Sequence, residues 1–426
     1  MAVINVEKSE RLGGVVHVSG SKNAVLPLLA ATLLTDEPCV LDGVPCLKDV
    51  DVMCRLLSHF GAKVALDREA AQINVHAKEI AVNIAPPDLV KAMRASIVAM
   101  GPLIARTGGA GVHLPGGCAI GDRPIDLHIK GFRSLGVHVD LEPNENGEDF
   151  VSAEAGRLKG AEMYLDFASV GATENIMMAA ALAEGTTIVE NAAQEPEIVD
   201  LANFLNKMGA KIRGAGTDTI RIEGVEKMHG AEHAVIPDRI EAGTFMIAAA
   251  ITGGSVLIEN MLPNHVVPII AKLRETGVYV REEFGGLHVD ATRGLLHSTD
   301  IKTLPYPGFP TDIQPQFMAY LATVEGASTV IETVFENRFM HIKELNKMEA
   351  RIEAEGRFAS LPGGALLSGA HVRATDLRAG AALVLAGLAA TGRTVISDIH
   401  HIDRGYEDMT GKLEKLGAKV WRSEEE

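Results

Sequence analysis

The chain has 426 residues, of which 47% are hydrophobic but only 4% aromatic, and its formal net charge is −16. The length suggests about three domains, and their cores must be packed by aliphatic side chains. The negative charge argues against nucleic acid as a partner, because phosphate backbones are bound by broad basic surfaces. An anionic small molecule is not excluded, since a few local arginines can override the global field.

The cysteines and the apolar segments indicate where the protein works. Cys39, Cys46, Cys54 and Cys118 form neither a CxxC pair nor zinc spacing with histidine, and so few cysteines fit a reducing cytoplasm. The N-terminal sequence has no signal-peptide pattern. The longest apolar run, 379–390, is shorter than the about 20 residues that cross a membrane. We therefore expect a cytoplasmic protein without a membrane partner.

A charged helix that ends in glycine and leads into a strand recurs six times along the chain. Its copies are RLLSHFGAKV, GFRSLGVHV, NFLNKMGAKI, KLRETGVYV, RIEAEGRF and KLEKLGAKV, with the glycines Gly61, Gly136, Gly209, Gly277, Gly356 and Gly417. Each glycine fits the C′ position of a helix, where the backbone is left-handed. Self-similarity at this spacing predicts a repeated structural unit.

A second motif, an apolar helix followed by a turn and a strand, alternates with the first. Its copies begin at NAVLPLLAATLL, RASIVAMGPLIA, TENIMMAAALA, EAGTFMIAAAI, QPQFMAYLAT and RAGAALVLAGLAA. Their small side chains allow close packing in a buried core. Most repeats continue with two strands joined by a turn, as in AKIRGAGTDTIRIEGV. The pattern predicts an α/β architecture of six units.

The last repeat stops at AKVWRSEEE and lacks its second strand, while the N-terminus carries spare β-like sequence. Because unpaired sheet edges are usually covered, we predict that residues 1–21 complete the C-terminal domain. One three-repeat domain would then span 22–236 and carry the Cys118 loop, and 1–21 with 237–426 would form the other. Two crossings near Gly20 and Pro237 would act as a hinge, with the active site in the cleft between the domains.

The stretch GSKN precedes the first apolar helix. Ser21 is predicted to be its N-cap, and Lys22 with the free N–H groups of the first turn would attract a phosphate or carboxylate. The alternative is an ordinary capped helix with an exposed lysine.

Arg94 and Arg378 begin the second and sixth apolar helices, at the register of Asn23 in the first. A cation is disfavoured at the N-terminal end of a helix, so these arginines suggest that an anion binds there. The alternative is an interdomain salt bridge with one of the many acidic residues.

The loop GVHLPGGCAIGDRPIDLH combines a thiol, glycines and an arginine. Cys118 follows two glycines, and Arg123 comes five residues later. Glycines allow a loop to move, and a thiol near cations ionises more readily. We expect a lid that closes over an anionic substrate; the alternative is a buried structural cysteine beside a tight turn. Cys39, Cys46 and Cys54 lie among apolar residues and should react slowly.

Three further segments carry candidate residues. Asp312 in FPTDIQPQF is either a helix N-cap or a general base facing the cleft. ENRFMH and HIDRGYE each place an arginine, Arg338 or Arg404, just beyond a strand, where binding residues are common. His341 and His401 are expected to satisfy local hydrogen bonds rather than to bind a metal.

Taken together, these stretches resemble the UDP-N-acetylglucosamine 1-carboxyvinyltransferases. The similar segments run from Ser19 to Glu407 and are GSKNAVLPLLAATLL, MRASIVAMGPL, LPGGCAIGDRPIDLH, ASVGATENIMMAA, EPEIVDLANFL, PDRIEAGTF, FPTDIQPQF, ETVFENRFMH, ATDLRAGAALVLAG and HIDRGYE. The resemblance implies the enolpyruvyl transferase fold, an inside-out α/β barrel of two similar domains with three βαβαββ repeats each. It also implies transfer of the enolpyruvyl group of phosphoenolpyruvate to the 3-hydroxyl of UDP-N-acetylglucosamine with release of phosphate. This is the first committed step of peptidoglycan precursor synthesis, and it requires no metal or organic cofactor.

The resemblance also implies roles for individual residues. Lys22 and Asn23 match the phosphoenolpyruvate-binding pair, and Cys118 matches the proton donor that forms a covalent adduct with phosphoenolpyruvate and with fosfomycin. The catalytic residues would be Lys22, Cys118, Asp312 and Arg404. The contacts to the UDP-sugar would come from Arg94, Arg123, Pro124, Ile125, Asp126, Leu127, Asp312 and Val334, with Ser169, Val170 and Gly171 holding the diphosphate and uridine. Arg123, Arg378 and Arg404 would form the cationic surroundings of the reacting anions.

One position departs from the pattern of this family, and two other functions fit the repeats. Some members carry a lysine where this chain has Phe167, so the grip on the diphosphate must differ in detail. The shikimate-pathway enolpyruvyl transferase shares the expected fold, but PGGCAIGDRP and FENRFMH favour the UDP-sugar enzyme. A non-catalytic UDP-sugar-binding paralogue is the other alternative, against which the intact Lys22, Cys118, Asp312 and Arg404 argue.

Overall fold

The structure is a computed structural model, and it describes residues 2–113, 125–143 and 149–424. The described residues form two compact units, each with its own hydrophobic core. The described residues of the first unit are 20–113, 125–143 and 149–236. The second contains 2–19 and 237–424.

The chain starts in the second unit and then passes through the whole of the first. The opening strands are β1 (Ala2–Glu7) and β2 (Gly13–His17). The first unit follows as α1 (Lys22–Ala31), β3 (Cys39–Asp42), α2 (Lys48–His59), β4 (Lys63–Asp67), β5 (Gln72–His76), β6 (Ile84–Ala85), α3 (Pro87–Ala92), α4 (Met100–Thr107), β7 (Gly109–His113), α5 (Asp126–Ser134), β8 (His138–Pro143), β9 (Asp149–Glu154), β10 (Glu162–Tyr164), α6 (Val170–Ala180), β11 (Thr186–Glu190), α7 (Pro196–Lys207), β12 (Lys211–Arg213), β13 (Thr219–Glu223) and β14 (Glu232–Ala234).

The rest of the second unit repeats the same alternation of helices and strands. Its elements are α8 (Arg239–Ile251), β15 (Ser255–Glu259), α9 (Val267–Glu275), β16 (Tyr279–Glu283), β17 (Gly286–Asp290), β18 (Ile301–Lys302), α10 (Gln314–Thr323), β19 (Ser328–Ile331), α11 (Met340–Lys347), β20 (Glu353–Glu355), β21 (Phe358–Leu361), β22 (His371–Arg373), α12 (Leu377–Ala389), β23 (Arg393–Ser397), α13 (Met409–Lys415) and β24 (Lys419–Glu424). Short 3-10 helices span Thr32–Leu34, Arg94–Ala99, Pro263–His265, Thr311–Ile313 and Ile399–Arg404.

Each described repeat contributes one four-stranded sheet of the same design. An edge strand runs parallel to the strand that follows the buried helix, and an antiparallel pair completes the sheet. The orders are β14-β3-β5-β4, β6-β7-β9-β8 and β10-β11-β13-β12 in the first unit, and β2-β15-β17-β16, β18-β19-β21-β20 and β22-β23-β1-β24 in the second. This arrangement confirms the α/β fold of βαβαββ repeats.

The N-terminal strands fill the gap that the last repeat leaves. β1 lies between β23 and β24, antiparallel to both, with Val6 opposite Val420, and β2 runs parallel to β15. Their pairing agrees with the expectation that the N-terminal strands complete the C-terminal repeats. The first unit closes in the same way through β14, which pairs with β3 at its opposite end of the sequence. That second closure was not predicted.

The apolar helices form the centre of each unit. In α12 all residues from 378 to 388 are buried, and α6 and α8 are buried over nearly their whole length. Small residues are required where these helices touch their neighbours. A Cβ added at Gly380 would lie 2.6 Å from a side-chain carbon of Ile402, and one at Gly131 would lie 2.4 Å from Ile176.

One of the six predicted helix ends is wrong. Gly61, Gly136, Gly209, Gly277 and Gly417 follow their helices with φ between 86° and 105°. Gly356 instead lies in the turn between β20 and β21, and Glu349 occupies the left-handed position after α11 with a φ of 69°. The glycine pattern predicts the wrong helix end in this repeat because the charged residue Glu349 occupies the left-handed position.

Candidate functional site

Lys22 lies at the first position of α1, and its ammonium group is paired with a carboxylate. Ser21 caps the helix as predicted, since its Oγ accepts a hydrogen bond from the Ala24 N–H at 3.3 Å. The Nζ of Lys22 lies 3.0 Å from Oδ2 of Asp49, and both side chains are largely buried. The alternative of an exposed lysine is therefore wrong. Asn23 follows in the first turn and is half-buried.

Arg94 begins a 3-10 helix rather than the α-helix itself. The 3-10 turns run over Arg94–Ala99, and α4 starts only at Met100, so the predicted helix start is wrong by six residues. The guanidinium of Arg94 lies close enough to His128 to act on its protonation. Burial, and secondly the charge of Arg94, lowers the pKa of His128 to about 4.

The first turn of α5 carries three residues that were expected to contact a UDP-sugar. Ile125 is the N-cap residue of this helix, and Asp126 and Leu127 are its first two residues. Asp126 is exposed, and Leu127 is half-buried. The other residues expected in this segment, Cys118, Arg123 and Pro124, lie outside the described residues.

The start of α6 presents backbone donors. Ser169 caps the helix by accepting a hydrogen bond from the Ala172 N–H at 3.4 Å. Val170 and Gly171 form the first turn, where backbone N–H groups have no partner within the helix. Such a helix start favours a phosphate or another anion.

Phe167 stands two residues before this N-cap and is 46% exposed. Its neighbour Asp166 pairs with Lys130 of α5 at 2.7 Å. A lysine therefore lies beside this segment although position 167 itself has no charge.

Asp312 lies in the second unit between two buried arginines. Its Oδ1 accepts a hydrogen bond from Arg338 Nη2 at 3.1 Å, and its Oδ2 accepts one from Arg378 Nη2 at 3.0 Å. The arginine side chains are 2% and 3% exposed, and that of Asp312 is 25% exposed. The following helix α10 has Ile313 as its N-cap, without a side-chain hydrogen bond. The N-cap interpretation of Asp312 is therefore wrong.

This trio of Asp312, Arg338 and Arg378 has more positive than negative charge. Arg338 Nε and Arg378 Nη1 are buried and have no hydrogen-bond partner among the described residues. Burial opposes the charge of Arg378, but Asp312 and then Tyr406 raise its pKa above the usual value. Arg378 therefore forms a salt bridge, as the alternative interpretation expected, but its partner Asp312 belongs to the same unit rather than to the other one.

The guanidinium of Arg378 packs against a hydrogen-bonded network of uncharged side chains. The guanidinium lies over the ring of Tyr406, 5.4 Å from its centre. The Tyr406 hydroxyl accepts a hydrogen bond from Gln316 Nε2 at 3.1 Å and shares another with Thr244 Oγ1 at 2.9 Å. These hydrogen bonds fix the ring of Tyr406, against which the guanidinium of Arg378 packs.

Glu332 connects Asp312 to Val334. Its Oε2 accepts a hydrogen bond from the hydroxyl of Thr311, the neighbour of Asp312, at 2.9 Å. Its Oε1 accepts one from the Val334 N–H at 2.8 Å, with further bonds from Phe335 and Thr303. Glu332 is 1% exposed, so one buried carboxylate positions two residues that were expected to contact the UDP-sugar.

The remaining residues of the second unit were interpreted partly correctly. Arg404 is half-buried at the end of the 3-10 helix Ile399–Arg404, which packs against α12. His341 is buried with Nε2 at 3.2 Å from Met318 Sδ, which agrees with a local role.

No group of His, Cys, Asp and Glu in the part of the chain that the structure describes could hold a metal ion. No described helix is long and apolar enough to span a membrane.

The cysteines of the first repeat differ from one another. Burial raises the pKa of Cys39 and raises that of Cys54 to about 11. Cys46 is exposed, and its Sγ accepts a hydrogen bond from Arg68. The expectation that all three lie among apolar residues is therefore wrong for Cys46.

The expected residues that the structure describes are divided between the two units. The first contains Lys22, Asn23, Arg94, Ile125, Asp126, Leu127, Ser169, Val170 and Gly171, and the second contains Asp312, Val334, Arg378 and Arg404. The residues that sequence reasoning missed are those that hold them in place, namely Asp49, His128, Asn175, Glu332 and Tyr406. Several of these carried a visible signal. Asn175 is an amide in a helix that is buried over nearly its whole length, and Glu332 directly follows a β-strand.

Comparison with known proteins identifies the family to which the chain belongs. It matches the family described as EPSP synthase (3-phosphoshikimate 1-carboxyvinyltransferase) over residues 6–413. UDP-N-acetylglucosamine 1-carboxyvinyltransferase 1 of Caldanaerobacter subterraneus subsp. tengcongensis is 59% identical over 417 residues, which cover 98% of both chains. UDP-N-acetylglucosamine 1-carboxyvinyltransferase of Finegoldia magna is 54% identical over 427 residues, covering 100% of this chain and 99% of the relative. Among solved structures, the enolpyruvyl transferase NikO from Streptomyces tendae covers 99% of both chains with a TM-score of 0.88 and 26% identity. The chain therefore belongs to the enolpyruvyl transferases, the 1-carboxyvinyltransferase family, and is 54–59% identical to three relatives named UDP-N-acetylglucosamine 1-carboxyvinyltransferase.

Proposed function

We propose that this chain transfers the enolpyruvyl group of phosphoenolpyruvate to the 3-hydroxyl of UDP-N-acetylglucosamine and releases phosphate. The names of relatives at 54–59% identity over nearly the whole chain support this reaction. The structural observation that carries it is the trio of Asp312, Arg338 and Arg378, in which two buried guanidinium groups hold one carboxylate and keep donor atoms to spare. This reaction would be the first committed step of peptidoglycan precursor synthesis.

The charges of the substrates fit such a set of residues. Phosphoenolpyruvate has a carboxylate and a phosphate, and the UDP-sugar has a diphosphate. Binding them together requires several cations, and arginine is suited to oxyanions because its donors form a planar fork. Lys22, Arg94, Arg378 and Arg404 would supply this charge, together with Arg123 outside the described residues.

The reaction would proceed by addition and elimination. Protonation of the methylene carbon of phosphoenolpyruvate, by Cys118 as the expected donor, makes the adjacent carbon electrophilic. The sugar hydroxyl attacks that carbon while a base such as Asp312 accepts its proton. The tetrahedral intermediate then loses a proton from the new methyl group and expels phosphate. Each positioned acid or base contributes about 10²–10⁴ in rate.

The start of α6 and the first turn of α5 would bind the sugar nucleotide. Ser169, Val170 and Gly171 offer backbone donors at a helix N-terminus, which suits a diphosphate. Ile125, Asp126 and Leu127 would contact the nucleotide from α5, and Val334 and Asp312 would contact the sugar. The well-defined hydrogen bonds around Ser169 and Glu332 support these assignments.

We also propose that the two units are the two domains expected from the sequence, and that residues of both take part in the reaction. The division of the described residues at Gly20 and Pro237 supports this proposal. A cytoplasmic location is proposed as well, and the free thiols of Cys39, Cys46 and Cys54 support it, because such thiols persist in reducing compartments.

The experiment is a phosphate-release assay with the purified protein. We expect inorganic phosphate from phosphoenolpyruvate only when UDP-N-acetylglucosamine is present. Release that depends on shikimate 3-phosphate instead would assign the shikimate-pathway reaction. Calorimetric binding of the UDP-sugar without any phosphate release would assign the non-catalytic paralogue, and either result would overturn the proposal.

A further inference from the structure

Asn175 is a fully buried amide in the apolar helix α6, and all of its polar atoms are engaged. Its Oδ1 accepts a hydrogen bond from the Gly101 N–H at 2.7 Å. Its Nδ2 lies 2.9 Å from the carbonyl oxygen of Ile97 and 2.8 Å from Nδ1 of His128. A single side chain thereby joins α6 to the 3-10 helix that Arg94 begins, to α4 and to α5.

The backbone partners fix the orientation of this amide. A backbone N–H can only donate, so the Asn175 atom facing Gly101 must be the oxygen. A backbone carbonyl can only accept, so the atom facing Ile97 must be the nitrogen. Exchanging the amide oxygen and nitrogen would break both hydrogen bonds in a buried place, where an unsatisfied polar group is costly.

The orientation of the amide in turn determines the state of His128. One Nδ2 hydrogen of Asn175 is directed to Ile97, and the other is directed to Nδ1 of His128. That ring nitrogen must accept and therefore carries a lone pair, so the ring proton is on Nε2. Burial and the charge of Arg94, which lower the pKa of His128 to about 4, agree with a neutral ring.

The protonated side of the ring lies against the start of α6. A Cβ added at Gly171 would lie 3.2 Å from Cε1 and 3.4 Å from Nε2 of His128. The ring therefore packs on the first turn of α6, whose backbone donors follow the cap residue Ser169. In the opposite tautomer, a nitrogen lone pair would face the same region and would repel the oxygen of an anionic ligand.

We propose that Asn175 is a positioning residue of the sugar-nucleotide site, which holds His128 as a hydrogen-bond acceptor at Nδ1 so that its Nε2–H is donated to an oxygen of the bound nucleoside diphosphate. The inference rests on the proposed function for the identity of the ligand. The tautomer itself does not depend on that function, because it follows from contacts within the first unit.

The first experiment reads the tautomer in the ligand-free protein. Long-range proton–nitrogen spectra of protein labelled with ¹⁵N-histidine distinguish the two neutral forms and the cation, and the His128 signals are those that disappear in His128→Gln. We expect Nε2–H for wild-type His128. In Asn175→Asp the carboxylate can only accept, so the ring proton should move to Nδ1 or the ring should become charged.

His233 provides an internal control in the same spectra. Its Nε2 lies 2.8 Å from Oδ1 of Asp200, so a different side chain determines its state. Its signals should be the same in Asn175→Asp and in wild type. A change in both histidines would mean that the substitution disturbs the unit as a whole, and the tautomer would then be judged from the wild-type protein.

The second experiment measures binding of UDP-N-acetylglucosamine by calorimetry and KM in the phosphate-release assay. The amide nitrogen of Gln can replace Nε2–H, so His128→Gln should bind within about threefold of wild type. The amide of Asn is too short to reach that position, so His128→Asn should bind at least tenfold more weakly. Asn175→Asp should raise KM for the sugar nucleotide at least tenfold and change kcat less.

The outcomes separate this inference from the proposed function. Wild-type His128 with its proton on Nδ1 would overturn the tautomer, even if the enzyme is fully active. Equal weakening by His128→Gln and His128→Asn would overturn the donor role. A wild-type protein that releases no phosphate would overturn the proposed reaction, while the spectra would still decide the role of Asn175. If Asn175→Asp does not fold, the wild-type spectrum and the His128 pair give the decision.

Discussion

In the first unit, the cluster of Asn175 and His128 is neutral, whereas in the second unit the trio of Asp312, Arg338 and Arg378 is charged. Asn175 and His128 interact through directional hydrogen bonds, and a wrong donor or acceptor there changes geometry more than charge. Asp312, Arg338 and Arg378 interact as buried ions, where removal of one member leaves uncompensated charge. The difference predicts that substitutions in the second unit are costlier for stability, while those in the first unit act on the orientation of the ligand.

The largest effect is expected for Asp312→Ala. Turnover should fall by orders of magnitude, because a base and an anchor of two arginines are lost together. The substitution also leaves Arg338 and Arg378 buried without their carboxylate, and breaking such a pair costs about 3–5 kcal/mol. We therefore expect a clear loss in the urea midpoint as well as in phosphate release.

Asp312→Asn serves as the matched variant. It keeps the shape and one acceptor oxygen but removes the charge, so the stability loss should be smaller while turnover stays low. If Asp312→Ala unfolds at the wild-type urea concentration, the trio does not stabilise the second unit. If its turnover is near normal, Asp312 is not the base.

The second prediction concerns the four cysteines, of which Cys39, Cys46 and Cys54 lie in the first unit. Cys118 should be alkylated first, and fosfomycin should modify it alone, faster when UDP-N-acetylglucosamine is present. Among the described thiols, Cys46 should react next because it is exposed and lies beside Arg68. Cys54 should react slowly at neutral pH because its pKa is raised to about 11, and Cys39 should react slowly because it is buried.

Iodoacetamide labelling at pH 7.5, followed by peptide mass mapping, gives this order directly. Cys118→Ser removes the expected first site, so that the remaining order can be read without competition. Cys46→Ser should then leave little fast labelling. Labelling of Cys54 before Cys46, or a fosfomycin adduct on any cysteine other than Cys118, would contradict the assignment.

The third prediction uses a similarity between the units. Each has a buried histidine with a pKa lowered to about 4, His128 and His341, mainly because burial disfavours the charged ring. Each also has a buried glutamate whose pKa is raised, again mainly by burial; for Glu241 the value is about 7. The two histidines lower the free energy of unfolding as the pH falls from about 6.5 to 4, because the unfolded chain binds their protons more readily. Glu241 lowers the free energy of unfolding as the pH rises from about 4.5 through 7, because the folded chain binds its proton more readily. The two effects therefore oppose each other.

Glu241→Gln should remove one side of this balance. Acidification from pH 7 to 4.5 should then lower the urea midpoint more steeply than in wild type, by up to about 3 kcal/mol in unfolding free energy for a shift of this size. The exposed Glu414→Gln on α13 is the control and should follow the wild-type curve. Parallel curves for Glu241→Gln and wild type would show that the charge of Glu241 is fully compensated by Lys412.

These results show which parts of the molecule could be read from the sequence. The repeats, the buried helices and the Ser21 cap depend on neighbouring residues, so local patterns revealed them. The partners of Asp312 lie 26 and 66 residues away, and β14 pairs with a strand almost 200 residues earlier. No local pattern encodes such pairings. The role of Asn175 was hidden for a different reason, since it depends on the direction of three hydrogen bonds rather than on residue type.

The smallest effect is expected at Glu349, where the fifth repeat departs from the others. This residue has a φ of 69°, and the left-handed backbone costs a residue with a Cβ about 1 kcal/mol or somewhat more. Glycine adopts the same backbone without that cost but loses more entropy on folding. Its only described side-chain bond, from the Ser368 hydroxyl, is exposed and weak. Glu349→Gly should therefore stabilise the second unit by about 0.5–1 kcal/mol, measured by urea unfolding.

Gly417→Ala is the matched control at the same position of the sixth repeat, where φ is 95° and a Cβ would meet nothing within 4 Å. It should destabilise by about 1 kcal/mol through the backbone alone. Destabilisation by Glu349→Gly would mean that the glutamate side chain holds the end of α11, and the correction of the repeat pattern would then need another physical reason.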